Sequence, residues 1–331
     1  MKKISTKTII LFLITAFLLL LCFFWAINTG GLHTTVSQLF RGLFLEYDET
    51  VAIILQLRFP RIIVAILGGA IMAMSGVLMQ AVMRNPLADP GIIGVTSGSA
   101  FAAVIVSSLF PSFAALTPIF SFAGGIIAFA AVYFLAWSKE ISPARLILTG
   151  IAIDTFFTGL YQAFNALTGS TYTGAASIIN ANISLKDWED VHILLIYAII
   201  SFIACMLLAN RCNLLSFSDK TVMSLGISVN KTRLIVSVVS VLMASVFTAI
   251  IGAVSFLGLI VPHIARLLVG SEHKRLLPFS ALLGALVFLF ADTFGRMIAY
   301  PYEISASIIM AFIGGPMLII LLKRSGAIYG K

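Results

Sequence analysis

The sequence predicts an all-α integral membrane protein of about ten transmembrane helices, with both termini in the cytoplasm. Three observations lead there. Of the 331 residues, 60% are hydrophobic and only 10% are charged, a balance outside the range of soluble domains. Apolar windows follow one another along the chain, each long enough, at roughly 20 residues, to cross a lipid core as a helix. The 21 Lys and Arg residues fall unevenly in the breaks between those windows.

The first window, TIILFLITAFLLLLCFFWAI, follows Lys2, Lys3 and Lys7. Its apolar run exceeds a signal-peptide core and no small-residue cleavage site closes it, so it reads as a retained helix over 8–28. Bulky leucines before Cys22 likewise argue against a lipid-attachment box. Further spans are expected at 60–82, 92–109, 118–137, 144–167, 190–209, 232–250, 252–268, 277–298 and 304–322. The seventh and eighth join so tightly that their boundary is not marked by any break. With the N-terminus inside, sixteen basic residues face the cytoplasm and only Arg41, Arg58, Arg61, Lys186 and Arg296 face out, a strong positive-inside bias. The chain 1–331 therefore reads as one transmembrane domain, whose longest cytoplasmic connection is 214–233.

Several chemistries are excluded. Cys22, Cys205 and Cys212 lie in or beside apolar runs without metal-ligand spacing and read as packing residues. The net charge of +8 is scattered between spans and forms no nucleic-acid stripe. No G-x-x-x-x-G-K-[ST] or H-E-x-x-H sequence occurs. His33, His192, His263 and His273 sit near span ends or in loops, so the Ser75 of AMSG has no mid-membrane base and an intramembrane hydrolase is disfavoured. No enzyme activity, cofactor or resident metal is expected.

The remaining polar residues are few. Asp292 has Arg296 one turn away, which predicts an intrahelical ion pair near the outer end of the ninth span. Asp154 has no such neighbour and must face a polar cavity or another helix. LRFPRI places Arg58 and Arg61 on either side of Pro60, at the entrance to the second span; with Arg296 they either dock an acidic partner or anchor helices in headgroups. MRNPLADPGIIGVTSG forms a charged, proline-stiffened elbow on the cytoplasmic side, in which Pro86 and Pro90 end one helix and begin the next, while Gly94 and Gly98 permit close packing. GAIMAMSGVLMQAVMR and GAVSFLGLIVPHIAR echo each other, with Gly76 and Arg84 matching Gly258 and Arg266; either shared ancestry or convergence of small-residue helices accounts for that.

Two long stretches, RFPRIIVAILGGAIMAMSGVLMQAVMRNPLADPGIIGVTSGSAFAAV and FLGLIVPHIARLLVGSEHKRLLPFSALLGALVFLFADTFGR, closely resemble the FecCD-type permeases, the membrane subunits of ABC importers for iron-siderophores, haem and cobalamin. The resemblance runs from about Arg58 to Leu322. It implies a type II ABC importer permease in the bacterial cytoplasmic membrane, paired with a second copy or a homologous permease, driven by a cytoplasmic ABC ATPase dimer and served by an extracellular or periplasmic substrate-binding protein. It further implies docking of that protein's acidic residues on Arg58, Arg61 and Arg296. The 214–233 stretch matches the family's coupling helices through Asp219, Leu225 and Gly226, with Lys220 where an acid is usual. Ser142, Pro143 and Ala144 correspond to a cytoplasmic gate, and Arg84, Asn85, Pro86, Asp89 and Pro90 to a rigid structural elbow. SIINANISLKDWED and the ISA after Glu303 depart from the family pattern toward the outer face. The rival expectation is an ion-coupled secondary transporter that uses Asp154.

Overall fold

A computed structural model describes all residues except 1–4, 30–33, 36–37, 39–40, 43–47, 92, 137–142, 169–180 and 330–331. Its helices, in chain order, are α1 Thr6–Asn28, α2 Glu49–Met83, α3 Val95–Leu109, α4 Thr117–Ala136, α5 Pro143–Thr168, α6 Trp188–Leu214, α7 Asp219–Ser224, α8 Val229–Ile251, α9 Leu257–Val269, α10 His273–Ile298 and α11 Ala306–Tyr329. A short 3-10 helix, Pro111–Leu116, joins α3 to α4. Each expected span finds its helix. Six of them, α1, α2, α4, α6, α8 and α10, are long and apolar enough to cross a membrane unaided, whereas α3, α9 and much of α11 are shorter apolar helices.

Most boundaries shift by a few residues, as at the ends of α6 and α11, and two differences change the reading. The second helix starts at Glu49, capped by the Asp48 side chain, and carries Pro60 in its interior. Its 35 residues amount to about 52 Å at 1.5 Å per residue, well beyond the lipid core, so Arg58 and Arg61 stand on a continuous helix and not in an entrance loop. The eighth expected span is broken. Residues 252–256 are not helical, their burial alternates, and α9 begins only at Leu257. A sequence rich in small apolar residues hides this break, because hydropathy does not distinguish helix from extended backbone.

Helix α2 is the axis of the bundle, packing against α6, α8, α9 and α10. Its small residues make that possible. A Cβ on Gly69 would lie 2.3 Å from the Gly284 carbonyl oxygen of α10, and one on Gly76 only 1.9 Å from that of Gly258 on α9. The two echoing glycines therefore touch each other, and the backbones meet where any side chain would separate them. Ser75 Oγ lies 2.7 Å from the Ser240 carbonyl oxygen of α8, which gives the hydroxyl a partner inside the core. Cys22, Cys205 and Cys212 are buried free thiols. At the periphery, α1 and α6 turn Leu13, Phe17, Ile199 and Ile203 outward, as helices facing lipid do.

Candidate functional site

Polar side chains gather at the two ends of α2. At the outer end Arg61 is the hub. Its Nη2 lies 2.8 Å from Asp292 Oδ1 and its Nε 3.1 Å from both Asp292 oxygens, while Nη1 donates to Glu303 Oε2 at 2.9 Å and Ser184 Oγ at 3.1 Å. The Ser184 hydroxyl in turn donates to Glu303 at 2.6 Å. Arg296 completes the set with the expected ion pair to Asp292, Nε to Oδ2 3.4 Å, and donates to the Ala26 carbonyl of α1. Asp292 is 1% exposed, and Arg61 and Arg296 are each 7% exposed. Such charges persist in a core only when paired and hydrogen-bonded. Arg58 donates to the Ile27 carbonyl at the end of α1.

The network borders a cavity of about 380 Å³, lined among others by Arg61, Asn182, Ser184, Asp292, Glu303 and Ser305. Residues 181–184 of one segment that departs from the family pattern and 304–306 of the other thus meet in one place. Glu303, in the α10–α11 connection, has its carboxyl held below the usual range: burial pushes it up, but the Ser184 hydroxyl and the Arg61 and Arg296 guanidiniums outweigh that. Sequence reading had missed Ser184 and Glu303. The available signal was topological, since Glu303 opens the last span at the level of Arg61 and Arg296.

At the inner end the elbow and the 214–233 connection interlock. Arg84 caps α2 in a left-handed conformation, φ 50°. Its Nε donates to the Leu215 carbonyl at 2.6 Å, and its Nη2 both donates to the Phe217 carbonyl and pairs with Asp219 Oδ1 at 2.6 Å. Asp219 also pairs with Arg233 of α8 at 3.1 Å. The Ser218 hydroxyl caps α7 and that of Ser228 caps α8, with Gly226 between them at φ 75°. Val222 is buried as the anchor of α7, while Lys220, Met223, Leu225 and Gly226 are exposed, Leu225 to 61%. Asp219 is thus committed to holding α7 against the elbow, and the neighbouring residues form the surface.

Within the elbow, Asn85 Oδ1 accepts from the Leu87 N–H at 2.9 Å, Pro86 follows at the exposed turn, and Ala88, Asp89 and Pro90 are buried. Asp89 accepts from the backbone N–H of Gly91 at 3.2 Å and faces that of Phe256. Its Oδ2 is buried without a hydrogen-bond partner. Burial therefore pushes this carboxyl up to about 6, against the two backbone N–H groups. Gly94, φ 79°, starts α3, and Gly98 packs on Gly124 of α4, as the small-residue spacing predicts. Half-buried Asp154 passes the elbow on α5, with its carboxyl against Ser97. Of the gate residues, Ser142 lies outside the described residues, and Pro143 and Ala144 open α5.

The FecCD transport family model matches residues 18–324. The chain belongs to the FecCD transport family. Among its FecCD relatives are Staphylococcus aureus proteins described as the "Probable heme-iron transport system permease protein IsdF", from strains Newman and USA300, 34% identical over 97% of this chain and 98% of theirs. A solved structure described as an inward-facing metal-chelate type ABC transporter superposes with a TM-score of 0.79 at 29% identity, covering 96% of this FecCD chain and 99% of that one. PsaBC from Streptococcus pneumoniae, in complex with a Fab, shares the fold alone, with a TM-score of 0.56 at 15% identity over 87% of this chain and 95% of that one. The FecCD chain is a multi-pass membrane transport protein of the type II ABC importer permease fold.

Proposed function

We propose that this permease carries an iron chelate, haem or an iron-siderophore complex, into the cytoplasm, paired with a second permease, driven by a separate ABC ATPase and supplied by a substrate-binding protein. The relatives' descriptions as haem-iron and metal-chelate transporters support the cargo class. Transport of such a chelate needs no bond chemistry from this chain, only alternative packings whose balance its partners shift.

The observation that carries the reading is the cytoplasmic surface of α7. A capped short helix is held from behind by Arg84 and Arg233 through Asp219, and it presents Lys220, Met223, Leu225 and Gly226 outward. An exposed Met and Leu on a rigidly mounted turn suit a protein cleft better than water. On the outer face, docking of an acidic binding protein draws on Arg58, Arg61 and Arg296. Those three cations share the rim with Asp292 and Glu303, which leaves one net positive charge, a weaker field than three unpaired arginines would supply. Pro143 and Ala144, with Ser142 before them, remain the gate assignment at the start of α5.

The test is haemin uptake into proteoliposomes holding the permease with its ATPase, with binding protein outside. Uptake should require ATP, and Leu225→Asp should lower it at least tenfold together with the amount of ATPase retained. Uptake that runs on a proton gradient without ATP, and stops in Asp154→Asn, would instead establish an ion-coupled carrier.

A further inference from the structure

The elbow touches more than the coupling segment. Five residues after Arg84, the chain has turned back into the bundle, and Asp89 is fully buried against the start of α9: a Cβ on Gly258 would lie 2.8 Å from Asp89 Oδ1 and 3.4 Å from Pro90 Cδ. Helix α9 has no side-chain cap of its own at Phe256. The Asp89 carboxylate lies at that helix start from another part of the chain, its Oδ1 against Gly258 and its charge facing the Phe256 N–H at the positive end of the helix.

Phe256 is the odd residue here. It is an aromatic residue at φ 68°, ψ −15°, in the left-handed region that bulky side chains avoid. Strain of that kind persists only where surrounding contacts impose it, and it marks places where a conformation is held in readiness. Two contacts impose it. The Asp89 carboxylate packs on the start of α9, facing the Phe256 N–H, and the ring lies directly on α11, where a Cβ on Gly314 would come within 2.4 Å of Phe256 Cγ. Gly314 precedes Pro316, at which α11 can bend.

We propose that the elbow is a transmission element in which Asp89 and Phe256 pass displacement of α7 to α11. Arg84 grips α7 at one end of the elbow, and Asp89 fixes Phe256 on Gly314 at the other. When α7 is pulled, the elbow shifts, the Phe256 N–H loses the carboxylate it faces, and the strained residue relaxes, lifting its ring from α11. Asp89 and Phe256 are positioning residues in this scheme; neither touches the cargo. The inference rests on the reading that an ATPase moves α7.

The experiment uses the permease assembled with its ATPase, carrying a single environment-sensitive fluorophore on a Phe312→Cys variant of α11, whose native side chain is 82% exposed. Nucleotide addition should change the emission of the otherwise unaltered protein. Asp89→Ala should reduce that change at least fivefold while ATP hydrolysis stays within twofold. Asp89→Asn, which keeps the acceptor oxygen, should retain most of it. Phe256→Gly provides a second route if Asp89→Ala does not fold, because glycine adopts the left-handed conformation freely while removing the ring; it too should hydrolyse ATP with little emission change. Undiminished emission changes in Asp89→Ala and Phe256→Gly overturn the proposal. So does a loss of hydrolysis and emission change in equal proportion, which marks a structural role only. If Leu225→Asp leaves ATPase assembly and hydrolysis untouched, the failure lies in the coupling reading itself.

Discussion

Two carboxylates are buried at the two ends of α2 and are held by different means. Asp292, at the outer end, has two guanidiniums, Arg61 and Arg296, and belongs to a network reaching Glu303 and Ser184. Asp89, at the inner end, has two backbone N–H groups and an oxygen without a partner. Removing one member of a buried ion pair leaves an uncompensated charge, whereas backbone hydrogen bonds exchange at a fraction of that cost. The outer end of the bundle is therefore locked and the inner end is releasable. That asymmetry fits the proposed function, in which an ATPase acts on the inner side of the permease.

The strongest way to break the comparison is Asp292→Ala. It leaves Arg296 without its carboxylate and Arg61 with Glu303 alone, both arginines being 7% exposed, and should cost about 3–5 kcal/mol, read as loss of monodisperse protein in detergent or a steep drop in melting temperature. A melting temperature within a degree or two of the parent would show that the outer network is not a lock.

The next effect concerns Asp89 and pH. Its folded pKa, about 6, lies above its ordinary 3.8, so the native state binds this proton more tightly than the unfolded chain. The associated stability is complete below about pH 4 and is lost as pH rises through about 6, a loss of at most about 3 kcal/mol. Asp89→Asn cannot titrate. Relative to the parent it should gain stability as pH rises from about 4 to 6 and hold that gain above; melts at several pH values check this, and a difference independent of pH contradicts the buried, weakly held carboxylate.

The smallest effect is at Glu303, whose side chain is 44% exposed. Glu303→Gln keeps an acceptor for Ser184 and loses the charge toward Arg61, so it should cost less than about 1 kcal/mol. A larger loss would extend the lock from Asp292 to the rim.

Much of this was legible in the sequence. The apolar windows located every helix from α1 to α11 apart from short α7, and 214–233 was legible as the longest polar connection, broken at Gly226, while a coupling role for it comes only from the family resemblance. Where the reading failed, the cause was a partner remote in sequence. Arg58 and Arg61 looked like a break before a span because hydropathy charges each cation its full cost; in the fold Asp292 and Glu303, 231 and 242 residues away, offset Arg61. The family pattern placed Asp219 in the coupling segment, and only the fold shows its ion pairs to Arg84 and Arg233. Gly76 and Gly258 were seen as an echo, and only packing makes them a contact.

The sequence by itself determined the order of the apolar helices, the orientation expected for them and the family. These follow from local hydropathy, from the distribution of Lys and Arg, and from long contiguous motifs. Tertiary structure alone decided which charges are neutralised, that residues 252–256 leave the helix, and that Asp89 of one connection lies at the start of the helix after another. Each of these depends on groups dozens to hundreds of residues apart being brought within hydrogen-bonding distance, and no local pattern encodes such proximity.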